Sequence, residues 1–345
     1  MKDYKIGYFN IRNVTEKNKE KYDWNIICNR NFIEYIDFVN ETYNLGLNII
    51  EVQDYTKEKC DLVIYEQCYE YYDDLYNRSA FKRAKGNPKF LMYFFGEPHN
   101  YPYWYCGSDI KQANVDNKIL RTLINYVPFC SPKYKCYAIS MYEDTEHNCC
   151  MPYCIDTYRL HETIYARKDN IEKNKGLDKT KFCSMVFWHG TKERELIYNL
   201  LSEYKHVDCY GGFHKNMFDK DYYTHEDLDI LLPNYKFNIC FENTHSDYDE
   251  AYITEKICRA FQWGTIPIYW GNNKQIYEIF NKKSFINLTD VPENKWVDII
   301  KEYDTNDELY KQTLNESFIT YKEIHDEYFR KKEKFIAKVL TEKYK

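Results

Sequence analysis

The sequence predicts an α/β protein of two doubly wound, parallel-sheet domains facing across a cleft, with a helical tail. Three observations predict it. Short apolar runs, too brief for helices, recur in both halves, as strands buried on both faces do. Amphipathic stretches of helical period stand between them. Segment 235–271 (YKFNICFENTHSDYDEAYITEKICRAFQWGTIPIYWG) joins both signals in one βαβ unit, whose ligand would sit off the carboxyl end of its first strand.

The elements follow in order. Runs 5–9 and 62–65 read as strands, the latter ending at Glu66, and 31–43 reads as a helix. Run 90–95 (FLMYFF) is wholly apolar, so it reads as a buried strand. It ends in Gly96-Glu97-Pro98-His99-Asn100. Segment 169–181 (DNIEKNKGLDKTK) is polar and charged and reads as part of a linker. Segment 185–188 reads as a strand, 193–204 as a helix, and 207–209 as a short strand ended by Gly211 and Gly212. Run 235–241 is a strand with β-branched and aromatic support. Ile253, Ile257, Ala260 and Phe261 fall on one helical stripe. Gly264 ends that helix, and 265–270 is again a strand, closed by Gly271. The tail, 307–340, is helical by pattern, with Leu314, Phe318, Tyr321, Tyr328, Phe335 and Val339 as its apolar positions. The expected division is 1–160 for the first domain, 161–181 for the linker, 182–306 for the second domain and 307–345 for the tail.

The chemistry gathers where the 253–261 helix begins. Thr254, Glu255 and Lys256 open it. A helix N-terminus presents unpaired N–H groups and a partial positive charge, so it holds phosphate, and Lys256 adds a full charge. Glu242 and Asn243 leave the preceding strand and can hydrogen-bond hydroxyls or a base edge. Taken alone, Glu255 could equally just complement the helix dipole, and Lys256 could be a solvated surface lysine.

The string of these pieces resembles the donor-binding signature of the α-1,3-fucosyltransferase family. YKFNICFEN, then YITEKI, then GTIPIYWG match it in order, spacing and residue type. Loop 244–251 (THSDYDEA) looks longer than in bacterial members. Segment 192–212 looks like the first strand–helix–strand unit of the same domain, with Arg194 at the position of an arginine that contacts the diphosphate. The family's glutamate in a strand-Gly-Glu segment, its general base, maps onto Glu97. His99 is a rival base, and 101–105 (YPYWY) reads either as an aromatic platform for the acceptor or as a packed loop.

What the resemblance implies is a GT-B fold of two Rossmann-like domains and an inverting transfer of L-fucose from GDP-fucose. The acceptor would be a hydroxyl of an oligosaccharide or glycoconjugate, through an α-1,3 linkage to a GlcNAc- or Glc-type residue. Glu97 would take the acceptor proton, and Glu255 would stabilise positive charge on the fucosyl ring or orient its hydroxyls. Arg194 and Lys256 would neutralise the pyrophosphate without a metal or other cofactor, and Asn243 and Tyr252 would hold nucleoside and sugar. In GT-B enzymes a terminal helix often returns to the first domain, which this tail is placed to do. A same-fold enzyme using another sugar nucleotide and a non-catalytic glycan-binding homologue are the alternatives.

Composition bounds the rest. The 345 residues suit two ordinary domains, and 44% hydrophobic content supplies their cores. The 37 Tyr and 20 Phe suit sugar clefts, but abundant Lys, Asn, Tyr and Ile equally suggest an A/T-rich genome. A net charge of −6 argues against nucleic acid as a partner. The N-terminus shows no signal-peptide pattern and no run is apolar and long enough to span a membrane. The expectation is therefore a soluble, cytoplasmic protein close in look to bacterial or viral family members. Basic run 331–334 fits a solvated helix face or, as the weaker reading, a peripheral contact with an anionic membrane. Thirteen cysteines, without paired metal-ligand spacing, read as reduced thiols. Asp247-Tyr248-Asp249 resembles a metal motif of another glycosyltransferase architecture but reads as loop.

Overall fold

The computed structural model describes residues 2–10, 30–67, 84–86, 88–94, 136–141, 144, 146–156, 159–243, 245 and 251–342. The chain divides into two compact units: unit 1 is Met1–Met151 with Asp326–Lys345, and unit 2 is Pro152–His325.

Unit 1 holds strands β1 (Lys2–Asn10), β2 (Leu47–Val52), β3 (Leu62–Gln67), β4 (Lys89–Phe94), β5 (Cys136–Ser140) and β6 (Asn148–Cys150). All pair in parallel, in the order β2-β1-β3-β4-β5-β6. Ile6, Val63, Ile64, Leu91 and Ile139 bury the apolar runs that identify these strands. Helix α1 (Arg30–Thr42) precedes β2 and turns Ile36 and Val39 inward.

Unit 2 holds β7 (Lys181–Met185), β8 (Val207–Cys209), β9 (Tyr235–Phe241), β10 (Ile266–Trp270) and β11 (Ile286–Asn287). They too are parallel, in the order β11-β10-β9-β7-β8. Its helices include α2 (Lys168–Lys175), α3 (Lys192–Tyr204), α4 (His225–Leu231), α5 (Glu255–Gln262), α6 (Trp296–Thr305) and α7 (Asp307–Asn315). The core packs Met185, Ile197, Phe237, Ile239, Ile266, Ile268, Trp296 and Ile300. The chain steps from β7 outward to β8, then back past β7 to β9. With right-handed crossovers, the helices before and after that reversal lie on opposite faces of the sheet. The reversal opens a crevice at the carboxyl ends of β7 and β9, where open α/β sheets bind ligands. Both units thus have the Rossmann-like parallel sheet that the sequence predicts.

Gly264 stops α5 as expected, and its φ of +62° shows why glycine is there. The N–H of Thr265 reaches the carbonyl of Ala260 (3.1 Å) and that of Gly264 the carbonyl of Phe261 (2.9 Å), a Schellman closure.

Several local expectations differ. Residues 169–181 are not a spacer: Lys168–Lys175 is helical, Ile171 is buried, and Lys181 already opens β7. The polar composition is that of an exposed helix face. The division between units falls after Met151, not near 160. The strand expected at 185–188 lies earlier, at Lys181–Met185, because the register with β9 runs from Lys181↔Tyr235 to Met185↔Ile239. A charged start hides it: Lys181 Nζ pairs with Asp208 at 2.9 Å. The tail is not one helix. Residues 318–320 leave helical form to bond residues 279–281, through Asn281 N–H to Phe318 O and Thr320 N–H to Ile279 O, both 3.0 Å. Helix α8 (Ile324–Thr341) follows, and from Asp326 it belongs to unit 1. There the buried ammonium of Lys89 donates to the carbonyls of Val339, Leu340 and Glu342, which caps the helix end.

Candidate active site

The crevice of unit 2 is built from three strand–helix joints. At the first, β7 leads through Phe187, Trp188 and His189 to the N-cap Thr191 of α3, whose hydroxyl accepts from Arg194 N–H at 3.3 Å. Gly211 makes this joint possible. A Cβ there would stand 1.9 Å from the carbonyl oxygen of Phe187, so only glycine lets the chain after β8 press against the end of β7.

Arg194 lies in the first turn of α3 and is 2% exposed. Its Nη1 donates to His189 O at 2.9 Å. Its Nη2 donates to Phe241 O and to Asn243 Oδ1, each at 2.6 Å. The guanidinium carbon sits 4.0 Å from the Phe187 ring centroid. Arg194 therefore ties the end of β7 to the end of β9 and fixes the side chain of Asn243. The resemblance implies a fork gripping phosphate oxygens. In this structure two of its nitrogens, Nη1 and Nη2, donate to protein acceptors.

The second joint runs from β9 to α5. Glu242, the residue after β9, is fully buried. Its carboxylate accepts from Thr254 N–H (2.7 Å), the Thr254 hydroxyl (2.7 Å) and Lys256 Nζ (3.2 Å). Lys256 Nζ also donates to Thr254 Oγ1 at 3.0 Å. Glu242 is thus no free ligand for a hydroxyl or base edge, as its position at a strand end suggests; it clamps the Thr254-Glu255-Lys256 turn to the sheet. Burial pushes its carboxyl above the ordinary range, against the pull of Lys256 and of both Thr254 bonds. Lys256 stays partly open, its side chain 18% exposed.

Glu255 is half-buried at the first position of α5. Burial opposes its charge, but Lys256, Arg259, its own backbone N–H and Arg159 outweigh that, so its carboxyl is held below the usual range. Arg259, one helical turn on, hydrogen-bonds His225 of α4 at 2.8 Å. Tyr252 is buried, 3% exposed, beside the backbone bond from Cys154 N–H to Ile253 O (2.8 Å).

The third joint follows β10. Gly271 N–H donates to Thr289 Oγ1 (3.1 Å), and a Cβ at Gly271 would stand 2.7 Å from Glu242 Cγ.

Arg194, in the first turn of α3, Glu255 and Lys256, in the first turn of α5, and Asn243 and Tyr252, between β9 and α5, thus lie in one unit. Glu97, His99 and 101–105 lie outside the described residues; β4 ends at Phe94, three residues before Glu97. Sequence reasoning missed the clamp. The signal was a carboxylate directly after β9, with a Thr helix cap ahead of Lys256. Among the described residues no group of three or more His, Cys, Asp or Glu is arranged to hold a metal ion.

A parallel sheet whose switch point gathers a helix N-terminus, a lysine and a buried arginine has the arrangement in which open α/β sheets receive anionic ligands. Residues 175–337 match the sequence model of the C-terminal part of glycosyltransferase family 10 (fucosyltransferase). A candidate fucosyltransferase of Acanthamoeba polyphaga mimivirus is 34% identical over 174 residues, 48% of this chain and 28% of the relative. The alpha-(1,3)-fucosyltransferase of Helicobacter pylori is 42% identical over 88 residues, 25% of this chain and 18% of the relative. The chain thus spans less than a third of the length of either relative. A crystal structure of an alpha1,3-fucosyltransferase with GDP superposes with a TM-score of 0.61 at 20% identity, covering 99% of this chain and 92% of that one. At that identity the likeness concerns the fold.

Proposed function

We propose that this chain transfers L-fucose from GDP-fucose to a hydroxyl of an acceptor glycan. The observation that carries the reading is the Thr254-Glu255-Lys256 turn clamped by Glu242 at the switch point of a sheet that lies within the segment matching the family 10 model. The diphosphate would meet the N-terminus of α5 and the Lys256 ammonium. Both stabilise the negative charge that grows on the leaving group, with no metal required for that task. Arg194 would act as buried charge and as the strut that aims Asn243 at the nucleotide. Tyr252 would contribute a buried wall for nucleoside and sugar. Glu255, kept ionised by its cationic neighbours, would face the positive charge that develops on the fucosyl ring.

Glu97 is our choice for the general base, at the carboxyl side of β4. It would take the proton of the attacking hydroxyl in a single displacement, turning a β-linked donor into an α-linked product. The linkage we propose is α-1,3, to a GlcNAc- or Glc-type residue. Cys149, Cys150, Cys154, Cys183, Cys209, Cys240 and Cys258 are buried and not joined in disulfides, which fits a reducing compartment such as the cytoplasm. No helix among the described residues is long and apolar enough to cross a membrane.

The test is incubation with GDP-fucose and N-acetyllactosamine, with mass spectrometry for the product and NMR for its linkage. An α-1,3-fucosylated product is expected. A β-anomer would overturn the inverting displacement. Binding of GDP-fucose without transfer to any GlcNAc- or Glc-containing acceptor would make the chain a glycan- or nucleotide-binding homologue.

A further inference from the structure

We propose that Glu242 is a proton-linked positioning residue: it holds Lys256 by ion pairing, and it takes up a proton from solvent when a diphosphate draws the Lys256 ammonium away. This rests on the donor-binding reading above and deepens it.

The geometry sets up a competition. Lys256 Nζ has the Glu242 carboxylate at 3.2 Å, and Glu242 is fully buried while Lys256 is not. A diphosphate at the α5 N-terminus offers the same ammonium a second anionic partner from the open side. Sharing the cation leaves the buried carboxylate under-compensated, which is costly for an ionised group out of water.

Among the described residues, the groups that face Glu242 give it no replacement cation. From α5 and its cap come Lys256, the neutral Thr254 and the carboxylate of Glu255, which opposes a second negative charge. From β9 comes the buried thiol of Cys240, from 153–156 that of Cys154, and from β10 the buried phenol of Tyr269. None of these is positive, and burial holds all three of the last groups neutral. The two bonds from Thr254 can persist when the carboxyl is protonated, since they occupy different oxygens (Thr254 N–H on Oε1, the hydroxyl on Oε2) and a hydroxyl can reverse its donor role. Protonation therefore keeps the turn in place while freeing Lys256. The raised carboxyl of Glu242 is consistent with this, because its neutral form is already favoured by burial.

The test is calorimetric titration of the full chain with GDP-fucose near neutral pH in PIPES and in Tris, whose ionisation enthalpies differ. GDP-fucose is the right probe because its diphosphate is esterified at both ends and does not titrate in that range, unlike GDP. The expected result is uptake approaching about one proton per donor bound, with affinity falling as pH rises. In Glu242→Gln, which keeps an acceptor oxygen for Thr254, uptake should vanish and affinity should lose that pH dependence. A purely structural role for Glu242 would change stability without any proton count. Binding by the wild-type chain with no buffer-dependent heat overturns this inference alone, whether or not the variant folds. Equal uptake in wild type and Glu242→Gln also overturns it. Failure of GDP-fucose, GDP-mannose and UDP-galactose alike to bind overturns both it and the donor-site reading.

Discussion

Replacing Lys256 by Met keeps the aliphatic stem and helix preference of the residue and removes only the ammonium. The consequence can be worked from its surroundings. Two unit charges about 4 Å apart interact by about 4 kcal/mol at the effective dielectric of a partly buried site. Lys256 fits that regime, with 18% of its side chain exposed. Glu242 at 3.2 Å already claims part of that attraction, so roughly half should appear as donor affinity. A net loss of about 2 kcal/mol corresponds to a roughly 30-fold weaker Kd for GDP-fucose. The same substitution leaves Glu242 buried with only the Thr254 donors, which pushes its carboxyl further up and should cost about 1–3 kcal/mol of stability. Calorimetry gives the first quantity and urea unfolding the second. If Lys256→Met folds and binds GDP-fucose within twofold of wild type, the ammonium does not meet the diphosphate, and the placement of the donor at α5 is wrong.

Other substitutions probe the remaining parts. Glu97→Gln should preserve donor affinity and lower turnover by about a hundredfold or more, the usual weight of a general base; undiminished turnover would transfer the role to His99. Arg194→Met should weaken GDP-fucose binding and also destabilise the unit by about 3 kcal/mol, since it strands the acceptors His189 O, Phe241 O and Asn243 Oδ1; loss of affinity with unchanged stability would contradict the strut. Gly211→Ala should prevent folding or cost more than about 3 kcal/mol, read by thermal melting, because a Cβ meets the Phe187 carbonyl at 1.9 Å. Asp304 tests pH dependence. Burial opposes its charge, but Lys205, Lys236 and Tyr204 hold its carboxyl below the usual range. Its contribution to stability is therefore present above the unfolded carboxyl pKa of about 3.9 and is lost as pH falls through the lower folded value. Asp304→Asn should remove about 3 kcal/mol near neutrality and flatten the acid limb of the unfolding curve.

Much of unit 2 was legible because its signals are local. Strand β9 occupies 235–241 as its apolar run indicates, the stripe Ile253, Ile257, Ala260 and Phe261 is buried, and Gly264 closes α5. Strand β7 was displaced because a strand begun by a charged residue carries no apolar flag, and only pairing with β9 defines it. The break in the tail was invisible for a related reason. Leu314, Phe318 and Tyr321 keep helical spacing, but backbone bonds from 318–320 to 279–281 outweigh that local preference. In the site, the types and order of Asn243, Tyr252, Glu255 and Lys256 could be read from the chain. The internal pairing could not: that Arg194 spends its donors on Phe241 and Asn243, and Lys256 its charge on Glu242, depends on two strand ends meeting in space.

The measurement that bears most directly on the account is titration of the purified chain with GDP-fucose, GDP-mannose and UDP-galactose in the presence of EDTA. The account predicts that GDP-fucose binds, that it binds more tightly than UDP-galactose, and that EDTA leaves its affinity unchanged. Preference for UDP-galactose, or binding that appears only when a divalent ion is restored, would contradict a donor site made of the α5 N-terminus, Lys256 and the buried Arg194.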